Sequence, residues 1–269
     1  NVLCNWSVSD QNDQQCVSCA STCTIPDQQS EKNQKRWRTL EMAKRRLCTT
    51  LLRLNLPIEN YAQKEHGLAF DFLEDKRSNP NVALEHVLTG HSNGIITLNA
   101  MEADEGFLHT MKEEMGESYR TLLGHFRHEV GHYYWGIVIQ TEVQLKQFRE
   151  LFGDERTDYA EALERYYDKN RPKFRSNLYI TQYASSHPHE DWAETWAHYL
   201  HIVDTLETAV SYGLSTYEPK TNDFDDWYSE WARVAQTMNA LNRSMGLSDA
   251  YPFIPVSYTH LTLPTTFGV

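Results

Sequence analysis

The sequence lacks several features that would assign it to a broad structural class. No apolar run approaches the roughly 20 residues of a membrane-spanning helix. No basic start followed by an apolar segment marks a signal peptide, and no internal repeat or low-complexity tract interrupts the 269 residues. These absences argue against a helical membrane protein and a repeat array, and we expect a cytoplasmic protein.

Positive charge is also scarce, because 25 Lys and Arg face 37 Asp and Glu for a net charge of −12. An acidic surface repels nucleic acid and anionic membranes, so neither is an expected partner. The local exception is residues 32–53, where eight basic residues accompany apolar residues at helical spacing. We interpret this segment as an amphipathic surface helix. A surface for nucleic acid or an acidic partner is the alternative.

Cysteines are few, and four of the five lie in the first 23 residues. An odd number disfavours a disulfide framework. Cys16 and Cys19 form a C-x-x-C pair, and Cys4 is a candidate third thiolate of a small zinc site. A metal-free remnant is the alternative, and Cys23 is a candidate fourth ligand. Cys48 falls among apolar helix positions and is predicted to be in the core.

The most informative pattern in the chain is His128-Glu129-Val130-Gly131-His132. Helix positions four apart share a face, so His128 and His132 can direct two imidazole nitrogens to one metal ion. Glu129 lies beside them, where its carboxylate can take a proton from an attacking water. This H-E-x-x-H pattern is typical of zinc proteases. The apolar and aromatic flanks predict a buried helix.

A catalytic zinc needs a third protein ligand, and a later helix supplies candidates. Four polar residues recur along one stripe of this helix, among tryptophan and leucine: Glu190, Glu194, His198 and His201. A solvated face is the plain interpretation, but the aromatic residues leave this helix little exposed surface. A buried polar stripe needs partners, and a metal ion would supply one.

Two stretches of the chain resemble known zinc proteases. The run Glu190-Asp191-Trp192-Ala193-Glu194 resembles the E-x-x-A-E element of lethal factor-type proteases, in which the first Glu binds zinc and a Tyr seven residues earlier assists the transition state. Tyr183 occupies that earlier position. Residues 124–135 and 184–208 are similar to a bacterial family of zinc-binding metallopeptidases with an N-terminal zinc ribbon. The likeness covers residues 1–255.

The resemblance implies a fold and a set of roles. The expected fold is α+β and mostly helical, a zincin-like, gluzincin-type domain with a small sheet and a zinc-ribbon remnant at residues 4–19. The resemblance implies that His128, His132 and Glu190 bind Zn²⁺. It implies that Glu129 is the general base. Tyr183 would donate a hydrogen bond to the developing oxyanion.

Three further side chains are expected to orient the metal ligands: Glu194, His198 and His125. If Glu190 does not bind the metal, His198 or His201 is the alternative ligand. The predicted function is zinc-dependent hydrolysis of peptide bonds in a peptide or protein substrate. The alternatives are a non-catalytic zinc-binding scaffold or partner-binding protein, which Glu129 disfavours, and hydrolysis of a non-peptide amide.

The predicted organisation has three parts. Residues 1–29 are the ribbon remnant and a linker, residues 30–255 are the zincin-like domain, and residues 256–269 resemble a translated sequencing adapter and should pack poorly. Predicted helices span about 30–55, 102–116, 118–139, 143–152, 157–169, 189–212 and 224–245, and predicted strands span 68–72 and 94–99. In zincin proteases the strand before the metal-binding helix is the sheet edge that pairs with an extended substrate, and this resemblance makes residues 94–100 the expected edge.

Overall fold

A computed structural model describes residues 4–8, 14–115, 121–168, 178–217 and 224–253 of the chain. These residues are mostly helical with a small mixed sheet, which confirms the predicted α+β class. The chain forms two compact units, Asn1–Tyr133 and Tyr134–Val269. In the described ranges, no helix is both long and apolar enough to cross a membrane. The predicted domain boundaries stay predictions, and the predicted non-native tail lies outside the described residues.

The observed elements match the predicted long helices and both predicted strands to within a few residues. In chain order they are α1 (Val17–Ala20), β1 (Thr22–Thr24), α2 (Glu31–Arg53), β2 (Ala69–Leu73), β3 (Gly90–Ser92), β4 (Ile95–Asn99), a 3-10 turn (Ala100–Ala103), α3 (Glu105–Met115), α4 (Leu122–Val138), α5 (Glu142–Phe152), α6 (Tyr159–Tyr167), a 3-10 turn (Tyr183–Ser186), α7 (Pro188–Ser211) and α8 (Phe224–Ser244). The sequence reasoning missed α1, β1 and β3, because three or four residues carry no readable periodicity.

The first unit is built on the sheet, whose strand order is β1-β2-β4-β3. Strand β2 is parallel to β1 and β4, whereas β3 is antiparallel to β4. Four strand side chains on one face are fully buried: Phe70, Phe72, Ile96 and Leu98. Phe126 of α4 packs on this face, with its ring centroid 5.7 Å from Phe70 and 6.1 Å from Phe72. Burial of each such side chain stabilises the fold by about 1.5–3 kcal/mol.

The edge of the sheet is not where the sequence placed it. Strand β4 has neighbours on both sides, so the prediction that residues 94–100 form the edge was wrong. The short strand β3 pairs with β4 and, in the part of the chain that the structure describes, is itself the edge. A tight turn at Asn93 and Gly94 makes this possible, since both have positive φ, 49° and 85°. A Cβ on Gly94 would lie 2.4 Å from the carbonyl oxygen of His66, so this position requires glycine.

Helix α2 is amphipathic, as predicted, but two of its basic residues point inward. Arg36 pairs with Asp104 at 2.6 Å, and Lys44 pairs with Glu41 at 3.1 Å with both side chains buried. Removing one member of such a buried pair would leave an uncompensated charge, which is strongly destabilising. Cys48 is buried in the same helix, as predicted.

The second unit is organised around α7. Its residues Trp192 and Trp196 are buried. The Tyr134 ring stacks on Trp196 with centroids 5.0 Å apart, and Phe148 of α5 lies 5.9 Å from Trp192. These aromatic contacts pack the N-terminal part of α7 against its neighbours.

The start of α7 is set by His187 and Pro188. His187 is the N-cap, and its Nδ1 accepts the backbone N–H of His189 at 3.1 Å. Pro188 occupies the first turn, where its missing N–H costs nothing. The other ring nitrogen of His187 donates to the carbonyl oxygen of Thr157 at 3.0 Å. Both ring nitrogens of His187 therefore have a structural use.

Candidate metal centre

Helix α4 brings the Nε2 atoms of the two histidines of the H-E-x-x-H pattern close together. The Nε2 atoms of His128 and His132 lie 3.2 Å apart, and their ring centroids are 5.0 Å apart. His128 is buried and His132 is half-buried. Two imidazole nitrogens converging in a dry setting need a shared proton or a cation between them.

Glu129 is buried beside this pair and is held by one of its two oxygens. Its Oε1 lies 3.4 Å from Nε2 of His125, whereas its buried Oε2 has no hydrogen-bond partner within the described ranges. Burial alone would raise the pKa of the carboxyl, but the His125 contact and then His128 and His132 hold that pKa below its usual value. Glu129 is thus an ionised carboxylate with an accepting oxygen.

In the second unit, Glu190 lies in the first turn of α7 and is 1% exposed. The phenol of Tyr159 on α6 donates a hydrogen bond to Glu190 Oε1 at 2.7 Å. The positive end of the α7 dipole also favours an ionised carboxylate at this position. Tyr159 was not anticipated from the sequence, because 31 residues separate it from its partner and no local pattern marks it.

The three predicted metal ligands converge. One ligand atom from each of His128, His132 and Glu190 lies within 4.8 Å of the other two. Two neutral nitrogens and one carboxylate are a donor set that zinc accepts, with one coordination position left for a reactant. The residues present therefore fit a zinc ion.

Tyr183 lies in the 3-10 turn just before α7 and is half-buried. Its ring contacts Tyr166 with centroids 5.6 Å apart. Burial raises the pKa of the Tyr183 phenol, and the nearby Glu190 and Tyr159 raise it further. The hydroxyl keeps its proton and remains a hydrogen-bond donor.

Two of the predicted orienting residues lie near these groups. His125 Nδ1 is 2.5 Å from Glu102 Oε2, and its Nε2 faces Glu129. Glu194 is half-buried on α7, and its charge adds to burial in raising the pKa of Asp191 to about 8. The proposed roles of His125 and Glu194 toward the metal ligands stay predictions.

His198, the third predicted orienting residue, packs against the C-terminal segment. Its Nδ1 hydrogen-bonds the Tyr251 hydroxyl, and its ring lies 4.6 Å from that of Phe253. The Asn239 side chain fixes the segment by bonding both backbone groups of Tyr251. His198 lies two helical turns from Glu190, roughly 12 Å along the axis. Among the described residues, the converging ligand atoms include Glu190 but neither His198 nor His201.

His91 is a site residue that the sequence reasoning missed. It lies on the edge strand β3, and its Nε2 accepts the Gly94 N–H at 3.0 Å. Its ring is 6.0 Å from that of Tyr133, the neighbour of His132. Burial lowers the pKa of His91 to about 4, and the nearby His132 contributes. A lone histidine in a predicted loop gives no sequence signal, so only the structure identifies this neutral imidazole.

A second converging group lies near the N-terminus, where Sγ atoms of Cys4, Cys16 and Cys19 are within 4.8 Å of one another. Burial and the two neighbouring thiols raise the pKa of Cys19 to about 12. For Cys4, hydrogen bonds outweigh burial and lower the pKa. Three thiols this close together are a donor set that suits a zinc ion. Cys23 is exposed on β1 and lies outside this group of described residues.

The class that the fold and the converging ligands indicate is a zinc-binding metallopeptidase, and comparison with known proteins agrees. Residues 33–260 match the model of a family described as "Putative zinc-binding metallo-peptidase", and the chain belongs to that family. Zinc is the metal of this family by that description.

Two mycobacterial relatives match nearly the whole chain. They are "Uncharacterized protein Rv2568c" of Mycobacterium tuberculosis and "Uncharacterized protein Mb2598c" of Mycobacterium bovis. Each is 42% identical over 261 residues, which cover 93% of this chain and 74% of the relative. No solved structure matches the chain significantly.

Proposed function

We propose that the chain is a zinc-dependent peptidase that hydrolyses peptide bonds, with His128, His132 and Glu190 holding the metal. The observation that carries this proposal is the convergence of the three ligand atoms within 4.8 Å. Buried Glu129, with one accepting oxygen, accompanies them. A purely structural zinc site has no use for such a carboxylate.

The residues divide the chemistry between them. Zinc, when bound, polarises a carbonyl and makes water more acidic. Glu129 receives the proton of the attacking water on Oε2 and later passes it to the leaving amine. Tyr183 keeps its phenol proton and donates a hydrogen bond to the developing oxyanion.

The substrate that fits this arrangement is an extended peptide or protein segment. Strand β3 is the last strand of the sheet on its side among the described residues, and it lines a groove of about 710 Å³. An added strand would pair with β3 through backbone hydrogen bonds, and groove residues would contact alternate side chains. His91, on this strand, is placed to contact the substrate. We propose the cytoplasm as the compartment, because all five cysteines are free thiols.

The direct test is Glu129→Gln, assayed for cleavage of fluorescein-labelled casein and of a pooled peptide library. Zinc content should stay unchanged, while kcat falls by about 10²–10⁴-fold, since the proton acceptor is lost. Glu150→Gln on the surface of α5 is the matched control and should behave as wild type.

Two outcomes contradict the proposal. Wild-type turnover by Glu129→Gln would refute the assignment of the base. If zinc-loaded wild-type protein cleaves neither casein nor the library, the zinc-binding scaffold is the better account.

A further inference from the structure

A chain of buried polar groups leads from the sheet to Glu129. Glu102, in the 3-10 turn after β4, is 4% exposed. Its Oε1 accepts a hydrogen bond from the Thr89 hydroxyl, and its Oε2 lies 2.5 Å from His125 Nδ1. The other nitrogen of His125 faces Glu129 Oε1 at 3.4 Å. The His125 ring therefore stands between two buried carboxylates.

The chemistry of this arrangement defines the direction of its hydrogen bonds. An ionised carboxylate only accepts, so both ring nitrogens of His125 must donate if both carboxylates are ionised. The two ring nitrogens of His125 thus face one carboxylate each, at 2.5 Å and 3.4 Å. Thr89 fixes Glu102, which leaves the His125 ring little freedom to rotate.

The two oxygens of Glu129 consequently differ. Oε1 is turned toward His125, and Oε2 is buried with no hydrogen-bond partner within the described ranges. We infer that Glu102 and His125 are positioning residues, which hold Oε1 of Glu129 so that Oε2 is the oxygen that receives the proton of the attacking water. This inference rests on the proposed function, because it assigns a role toward the base of that reaction.

A stabilising role alone would predict a different behaviour. If Glu102 and His125 served only as hydrogen-bond partners of each other in the core, their removal would lower the melting temperature. The turnover of the folded protein would then be unchanged. Positioning of the base instead predicts a loss in kcat with little change in KM or metal content.

The kinetic test uses the full zinc-loaded chain and fluorescein-labelled casein. For His125→Gln we expect kcat to fall by about 10- to 100-fold, the usual cost of losing an outer partner of a metal site. Glu102→Gln keeps a hydrogen-bond acceptor and should lose less. His86→Gln, at an exposed position, is the matched control. An unchanged kcat in folded His125→Gln with full zinc content would overturn the inference.

A second measurement needs neither metal nor substrate. Nitrogen-15 spectra of histidine-labelled, metal-free protein report which ring nitrogens carry hydrogen. We expect both nitrogens of His125 to be protonated at neutral pH, and the Nε2 signal to shift in Glu129→Gln but not in Glu150→Gln. An Nε2 atom without hydrogen, or an Nε2 signal that is unchanged in Glu129→Gln, would overturn the pairing of His125 with Glu129.

The two measurements separate the failure of this inference from the failure of the proposed function. If wild-type protein cleaves no casein or library peptide, the peptidase proposal fails, and the spectra alone decide whether His125 holds Glu129. If Glu129→Gln abolishes cleavage but His125→Gln does not reduce kcat, the peptidase proposal stands and the positioning role is wrong.

Discussion

The cysteine group near the N-terminus and the histidine–glutamate group on α4 and α7 offer the same number of ligand atoms in very different surroundings. Cys4 lies in the short segment 4–8, Cys16 is the N-cap of the four-residue α1, and Cys19 lies within α1. A single helical turn has little stability of its own, so this group depends on its metal or on its neighbours for order. The histidines and Glu190 lie on helices of 17 and 24 residues.

This difference in surroundings indicates which role each group is suited to. The proposed ligands of the second group lie on long helices, and the buried carboxylate of Glu129 lies beside the two histidines. Such a site can leave a coordination position for a reactant. Among the described residues, the converging atoms of the thiol group include no carboxylate, and thiolates suit a structural zinc. Substitutions in the two groups can therefore separate a catalytic role from a structural one.

The largest effect is expected for Glu190→Gln. Losing a residue that only hydrogen-bonds a metal ligand typically lowers zinc affinity by up to roughly 100-fold. Losing one of the three ligands should lower the affinity further, and cleavage should disappear. Zinc content after dialysis measures this, and Glu150→Gln is the control. Unchanged affinity would move the third ligand to another residue, such as His198 or His201.

A smaller loss is expected for Tyr183→Phe, which removes one hydroxyl. If this phenol donates to the oxyanion, kcat should fall by about 10²–10³-fold while zinc affinity is preserved. Tyr212→Phe, at an 81% exposed position, provides the comparison. Equal kcat in the two variants would remove Tyr183 from the mechanism.

Tyr159→Phe should weaken the metal site without touching a proposed ligand. Losing the 2.7 Å hydrogen bond to Glu190 frees that carboxylate to rotate, so zinc affinity should fall by about 10- to 100-fold. Competition with a chelating dye measures the change, again with Tyr212→Phe as the control. An affinity equal to that of the control would mean that the bond is not used to hold the ligand.

The smallest effect on turnover is expected for Cys16→Ser. It should remove zinc from the thiol group and lower the melting temperature, yet leave casein cleavage per folded molecule unchanged. Zinc analysis and thermal unfolding measure the two effects. If turnover fell together with the zinc content, the assignment of the thiol group as purely structural would be wrong.

Local spacing explains which parts of this site were predictable. His128, Glu129 and His132 lie within five residues on one helix, so their arrangement follows from helical geometry. The role of Glu190 was predictable from its position among buried aromatic residues of α7 and from the resemblance to lethal factor-type proteases. Tyr159, Glu102 and His91 reach the site through tertiary packing, and no local pattern marks them. The class of fold was predictable because its long helices have strong periodicity.

The position of a strand within the sheet was not predictable from local spacing. The apolar residues of β4 were legible as a strand, but its place in the sheet depends on β3, a strand of three residues. Whether a strand is interior or at the edge is decided by what folds back onto it. Here that is a turn at Asn93 and Gly94, so the edge could not be read from the periodicity of β4 alone.

The bond from His187 to Thr157 has a consequence for how an ion would enter. It connects the start of α7 to the residues just before α6. The Tyr159–Glu190 hydrogen bond lies between the same two helices, so both bonds fix the position of the Glu190 carboxylate. If Glu190 binds the metal as proposed, its carboxylate is already oriented before the ion binds. Little side-chain entropy would then be lost on binding, which favours high affinity.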